Sequence, residues 1–299
     1  MKQNGSVGPI WTGQLEYVEC NLCGSRKTRT LVAFDESWRV ARCAQCGLAF
    51  VNPRPVLADL IAGYKRWGVS ENEPENIARW LASTMPALHQ EAGRIVDSFG
   101  TKGHLLDVGS SGGFFVKAMK DAGWDAVGVE PSETLANYAA EQFGVDTILG
   151  TIEDADLPED AFDVVTMWYV LEHVMDPRRV VDRVISLLKP GGALIARVPN
   201  LAFATPFRFL RKLGFDCSDL GVFSTPWHLY FFDQSTMRRL LENAGFHVVH
   251  LYHGKAYRGQ HMAYNLAKEL VTEAAEGLRR ISFGRLFWGP AIVVRAAKA

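Results

Sequence analysis

The sequence predicts an α/β protein: a seven-stranded, mostly parallel sheet with helices on both faces, carrying a small cysteine-rich module at its N-terminal end. Three observations predict it. From His104 onward, short apolar runs alternate with amphipathic stretches, the pattern of βαβ units. The first of these runs ends in a glycine- and serine-rich turn that opens a helix, a Rossmann-like arrangement. Four of the five cysteines stand as two close pairs near the N-terminal end.

Composition sets the bounds. The chain has 299 residues, which suits one large domain and one small one. Hydrophobic residues make up 48% and charged residues 22%, ordinary values for a globular protein. The net charge of -1 argues against a dedicated nucleic-acid binder, which carries a basic excess. No apolar run reaches the ~18 residues that a membrane span needs, and the N-terminal stretch has no apolar signal core. The expectation is a cytoplasmic protein without a membrane partner.

Three zones follow in order: 1–55, 56–100 and 101–299. The first is rich in Cys, Gly and Arg and ends in the stiff run Asn52-Pro53-Arg54-Pro55. The second reads as helical linker or lid, because Ile77, Trp80, Leu81, Met85, Leu88, Ile95 and Val96 recur at helical intervals. The third opens with a strand over 104–108 and a helix from Phe114 to Ala122. A strand over 126–129 precedes a helix that Ser132 caps. Strands follow over 146–149 and 162–167, then a helix over 178–188. That helix stops at Lys189-Pro190-Gly191-Gly192, ahead of a strand over 193–198. A helix from Met237 to Ala244, ended by Gly245, leads to strands over 247–251 and 291–295 with an amphipathic helix between them.

The cysteine pairs are Cys20-Asn21-Leu22-Cys23 and Cys43-Ala44-Gln45-Cys46. A two-residue spacing lets one tight knuckle present both thiolates to a metal, and the stretch between returns as a hairpin. Cys20, Cys23, Cys43 and Cys46 therefore read as a four-thiolate zinc ribbon, structural because no coordination position stays open. Gly24 and Gly47 follow the pairs, where positive φ aims backbone amides at sulfur. A rubredoxin-like iron site has the same ligands, and two reduced pairs without metal remain a further alternative. Cys217 reads as a small apolar residue.

In LLDVGSSGGFF a strand ends at Asp107, the backbone turns at Gly109, and Gly112-Gly113 opens a helix. Small residues there let backbone approach a ligand, and the helix start favours a negatively charged group. Glu130 follows just past the second strand, where a carboxylate accepts from both hydroxyls of a ribose. A dinucleotide-binding domain looks similar at this point.

The series DVGSSGG, VGVEPS, GTIEDADLPEDAFDVV, VLEHVMDP, LLKPGGALIARVPN and HLYFFDQSTMRRLLENAGF resembles class I S-adenosylmethionine-dependent methyltransferases. It is most similar to their small-molecule branch, which includes ubiquinone-biosynthesis O-methyltransferases. The ribbon, ending CGLAFVNPRP, resembles members found with sugar, polysaccharide and secondary-metabolite pathways. The resemblance implies S-adenosylmethionine as cofactor and a sheet whose last strand is antiparallel. It implies that Asp107, Gly109, Ser111 and Gly113 shape the methionine pocket, and that Glu130 holds the ribose. Thr151, Ile152 and Glu153 would flank the adenine, and Trp168 would lie near the sulfonium. Ser111 departs from the family, which usually has glycine there.

Methyl transfer to a hydroxyl calls for alignment and a base. His173, in Leu171-Glu172-His173, and His228, in Trp227-His228-Leu229, are the candidate catalytic residues. The same constellation resembles small-RNA ribose methyltransferases, which implies magnesium at Glu172 and His173, although Tyr169 replaces the first Glu of that pattern. The aromatic stretch 200–228 carries Arg208, Arg211 and Lys212 and reads equally as a substrate lid or as the core face of a helix. The expected partner is a small-molecule substrate bearing a hydroxyl, a sugar or secondary metabolite. An RNA methyltransferase gripping nucleic acid with its ribbon, and a non-catalytic cofactor-binding adaptor, are the alternatives. Oligomeric state is left open.

Overall fold

Strong alternation of apolar runs and capped helices builds the elements in the expected order. The computed structural model describes residues 13–33, 38–68, 74–100, 102–203, 227–254 and 262–299. The expected lid lies mostly outside them, with Arg208, Arg211, Lys212 and Cys217.

The N-terminal zone holds β1 (Leu15–Glu16), β2 (Thr28–Ala33), β3 (Arg39–Cys43), β4 (Ala49–Val51) and β5 (Arg54–Pro55). Two helices follow, α1 (Leu57–Gly68) and α2 (Pro74–Phe99). The helical spacing expected of α2 holds: Ile77, Leu81, Leu88 and Ile95 are buried, with Met85 and Val96 packed beside them.

The main unit runs β6 (His104–Val108), α3 (Phe114–Asp121), β7 (Asp125–Glu130), α4 (Glu133–Phe143), β8 (Thr147–Leu149) and β9 (Phe162–Trp168). It continues through α5 (Pro177–Leu187), β10 (Leu188–Pro199), β11 (Tyr230–Phe231), α6 (Gln234–Asn243), β12 (Phe246–His253), α7 (Met262–Ile281) and β13 (Ala291–Lys298). Local chemistry marks the helix starts. Ser132 accepts from the Leu135 amide, Asp176 accepts from the Arg179 amide ahead of Pro177, and Asp233 forms a capping box with Thr236. Gly245, at φ 95°, ends the turn after α6.

The seven-stranded sheet has the order β12-β13-β10-β9-β6-β7-β8. Strands β8, β7, β6, β9 and β10 are parallel, and β13 is antiparallel to both its neighbours. Alternate residues of these strands feed two cores. Leu105, Val164, Ile195 and Val293 pack with α2 and α3. Leu106, Val165, Leu194 and Ile292 pack with α5 and α6. Each such side chain contributes about 1.5–3 kcal/mol by leaving water.

The cysteine module joins the main unit directly. Strand β11 pairs antiparallel with β4, so it is the edge of a sheet ordered β11-β4-β3-β2. Cys20, Trp38, Leu48 and Phe50 share one apolar core with Val180, Leu229 and Met237. No helix among the described residues is long and apolar enough to cross a membrane.

Candidate functional site

Parallel strands place their C-terminal ends along one edge, and the expected site residues collect there. Asp107, near the end of β6, is 1% exposed and accepts from the Thr166 hydroxyl at 2.6 Å. Thr166 is its partner across the β6–β9 register. Glu130 ends β7 and is also buried. Its carboxylate accepts from the amides of Ser111 and Ser132, each at 2.9 Å, and so bridges the glycine turn to the next helix. Burial pushes the Asp107 carboxyl up to about 7, Thr166 opposes this, and the neighbouring Glu130 adds to it. Glu130 is raised too, chiefly by burial.

The turn between them needs left-handed backbone. Gly109, Ser111 and Gly113 sit at φ 68°, 50° and 77°. A Cβ on Gly113 would lie 2.5 Å from that of Ala139, so only glycine lets α3 start this close to α4. Ser111 adopts the conformation that the family's glycine would take, with its amide held by Glu130.

Thr151, Ile152 and Glu153 follow β8, next to Glu130 through the Gly150 amide on the Glu130 carbonyl at 3.1 Å. Ile152 is buried, whereas Thr151 is exposed and donates to Asp154 at 2.9 Å. Trp168 ends β9 and meets Phe115 edge to face, with centroids 4.9 Å apart. Its indole nitrogen is buried with no hydrogen-bond partner among the described residues. A glycine turn in left-handed backbone, two buried acids and an apolar wall fit the donor groups and flat base of a nucleoside cofactor.

The histidines also meet. His173, in the turn after β9, and His228, just before β11, have ring centroids 4.7 Å apart at 73°. Nδ1 of His173 lies 3.1 Å from the Trp227 carbonyl, which can only accept, so Nδ1 carries the hydrogen and Nε2 keeps its lone pair. Burial, with His228 beside it, pushes His173 down to about 3, so it is neutral at physiological pH. Donor atoms of Glu172, His173 and His228 lie within 4.8 Å of one another. Glu172 is fully buried, its carboxylate oxygens have no hydrogen-bond partner among the described residues, and burial pushes it up to about 8. Magnesium, expected here, does not suit this set. It demands oxygen ligands, and this cluster offers one carboxylate and two imidazoles. The Tyr169 hydroxyl, at the position of the missing Glu, accepts instead from Arg197 at 3.0 Å.

The four cysteines converge as the spacing requires, their Sγ atoms all within 4.8 Å. Cys20 and Cys46 approach to 3.4 Å, and Cys23 and Cys43 to 3.6 Å. A tetrahedral zinc with bonds of about 2.3 Å needs sulfurs about 3.8 Å apart, so the quartet fits. Gly24 and Gly47 take φ 72° and 85°. Burial pushes the Cys20 and Cys46 thiols up, Cys46 to about 11, whereas at Cys43 the amides of Cys46 and Gln45 outweigh burial and bring it down to about 7.

Several participants escape sequence reasoning. Thr166 needs strand register to be paired with Asp107. Arg197 had a signal, a lone charge inside the apolar strand ALIARV, and it is 1% exposed against Tyr169. A cleft of about 750 Å³ between α2 and α7 contains none of the expected site residues. Its polar lining is largely paired within itself, Glu91 with Arg94 and Tyr252, and Glu276 with Arg279 and Arg280.

A methyltransferase-domain family profile matches residues 77–251. The chain is 31% identical to the ubiquinone biosynthesis O-methyltransferase of Coxiella burnetii (strain RSA 331 / Henzerling II), over 48% of this chain and 67% of that protein. It is 40% identical to the protein of the same name from Methylococcus capsulatus, over 42% of this chain and 58% of that one. Among solved structures, a chain from the Haloferax volcanii complex of the Trm112 methyltransferase activator with a methyltransferase superposes with a TM-score of 0.52 at 15% identity. That match covers 78% of this chain and 96% of the other. An S-adenosylmethionine-dependent methyltransferase from Listeria monocytogenes gives 0.51 at 16% identity, over 72% and 99%. At these identities the two structures speak to the fold alone.

Proposed function

The chain belongs to the class I S-adenosylmethionine-dependent methyltransferases, and from that premise we propose that it methylates a hydroxyl of a small molecule, a sugar or secondary metabolite. The observation that carries this reading is the pair of buried acids, Asp107 and Glu130, flanking a glycine turn at the C-terminal edge of the sheet. The cofactor, when bound, supplies an electrophilic methyl group on a sulfonium. Gly109, Ser111 and Gly113, with Asp107, would shape the pocket for its methionine part. Glu130 would accept from the ribose hydroxyls. Thr151, Ile152 and Glu153 would flank the adenine, and Trp168 would lie near the sulfonium.

At the acceptor, the histidine pair handles the proton. His173 is a poor base because burial depresses it so far. Its neutral ring would instead orient His228, which would take the proton of an acceptor hydroxyl. The ubiquinone-pathway names of the relatives support oxygen as the acceptor atom. Zinc held by Cys20, Cys23, Cys43 and Cys46 has a structural role, since four thiolates leave no open position.

Calorimetry with S-adenosylhomocysteine, on protein assayed for zinc, tests the cofactor and the quartet together. Micromolar binding with about one zinc per chain is expected. A folded, zinc-loaded protein that does not bind the nucleoside would point to the adaptor reading. Acceptors are then screened by S-adenosylhomocysteine release, with catechols and nucleotide sugars in one arm and RNA in the other. Turnover confined to RNA would overturn the small-molecule reading. With a working acceptor, His228→Gln should lower kcat by ~10²–10⁴ while leaving cofactor affinity unchanged.

A further inference from the structure

Residues 172–178, which include His173, and 227–231, which include His228, are a largely buried turn leading into α5 and a segment leading into β11, and the cysteine module reaches both. Asn21 stands between Cys20 and Cys23. Its side chain donates to Asp176 at 2.7 Å and accepts from the Arg178 amide at 3.1 Å. Asp176 is the cap of α5 and also holds the Arg179 amide at 3.0 Å. Arg54, in β5, donates to the Met175 carbonyl at 2.6 Å and to the Tyr230 hydroxyl at 3.2 Å. Tyr230 itself donates to the same carbonyl at 3.0 Å. In the backbone, the Val51 amide of β4 donates to the Leu229 carbonyl at 2.8 Å. The Leu229 and Tyr230 amides in turn donate to the Glu172 carbonyl at 2.7 and 3.1 Å.

We propose that the cysteine module is a positioning element of the acceptor site: through Asn21, Arg54 and strand β4 it holds the His173 turn and the His228 segment together. The proposal deepens the reading of His173 and His228 given above and rests on it. A detachable adaptor would meet its partner domain across a linker with few contacts. Here a residue inside the metal knuckle caps the helix that follows His173, and the module's own sheet carries the strand that follows His228. The two segments, 54–55 residues apart in sequence, also meet directly, through the Leu229 and Tyr230 amides on the Glu172 carbonyl and His173 on the Trp227 carbonyl, and the module braces that joint from outside. Displacement of about 1 Å at such a pair is enough to lose roughly 10²-fold in rate. Asn21 and Arg54 act through the histidines and touch no reacting atom. The cofactor's loop makes none of these contacts, so its affinity is independent of them.

The test exchanges donor and acceptor across the joint. Asn21→Asp puts two carboxylates face to face; the double variant Asn21→Asp with Asp176→Asn restores one amide and one carboxylate with their places swapped. The full-length, zinc-loaded protein is labelled in its histidine rings, and the proton contact between the His173 and His228 rings is read by NMR. Zinc content and S-adenosylhomocysteine affinity are measured on each sample. The expected result is loss of the ring contact in Asn21→Asp and its return in the swap, with affinity held within about twofold and zinc unchanged. An intact ring contact in Asn21→Asp overturns the proposal. So does its loss together with zinc and cofactor binding, because the knuckle would then only hold the fold together. The assignment of roles fails separately: if His173→Gln and His228→Gln leave turnover intact, the pair is not the acceptor machinery, whatever positions it.

Discussion

Asp107 and Glu130 show how one residue's burial sets opposite pH responses. An aspartate titrates near 4 in an unfolded chain, and burial carries Asp107 up to about 7 in the fold. Between those values the folded chain binds more protons than the unfolded one. The Asp107 contribution to the free protein's stability therefore falls as pH rises from about 4 to about 7. Cofactor binding runs the other way, since an ionised Asp107 accepts more strongly from the ligand than a neutral carboxyl does. We expect S-adenosylhomocysteine affinity to rise through pH 7 and that rise to be lost in Asp107→Asn, as calorimetry at about pH 5.5 and pH 8 would record. An equal rise in both proteins would contradict the assignment of Asp107. Glu130→Ala should weaken binding at least ~100-fold, because it loses a charged double acceptor, yet leave the far-ultraviolet circular dichroism unchanged. The motif made these two acids legible because they lie at the ends of neighbouring strands. Thr166 was not, because its place opposite Asp107 depends on the pairing of β6 with β9, which no local pattern records.

At the scale of elements, the glycine turn is the most constrained piece. Gly113 sits at φ 77° with Ala139 and Val145 against the position a Cβ would take. Gly113→Ala should destabilise by roughly 2–4 kcal/mol, combining left-handed strain with overpacking. Chemical denaturation measures it, and a loss below about 0.5 kcal/mol would mean that α3 shifts freely against α4. Helices were read closely because caps such as Ser132 and Gly245 announce their ends. Most strands of the main sheet ran longer than read, β6 and β8 excepted. Strand β12 extends to His253 because β13 pairs with it through Ile292, although Tyr252 and His253 carry no local strand signal. Strand β11 was missed altogether: two residues long, it exists because Phe50 and Ala49 lie opposite it.

At the scale of the whole molecule, the cysteine module and the sheet share one core. Cys20→Ser should release zinc and, because Cys20 packs in the same cluster as Leu229 and Met237, lower the stability of the entire chain. Removal of a structural metal ligand acts on folding directly. Calorimetry should show one unfolding transition, shifted downward as a whole. Two transitions, with only the first moving, would make the module an independent domain. The zones 1–55, 56–100 and 101–299 were drawn from composition and local periodicity, which are blind to which surfaces join.

The sequence by itself determined the order of the elements from β6 to β10, the cysteine quartet and the glycine turn. Each of these is written within a few dozen residues, where spacing, caps and glycine conformations act locally. Tertiary structure alone decided that Asp107 meets Thr166, that Tyr169 turns to Arg197, and that the metal knuckle reaches Asp176. It also decided that His173 and His228 share one contact. These pairs come from distant parts of the chain, and their meeting follows from sheet order and shared burial, which depend on every element packing at once.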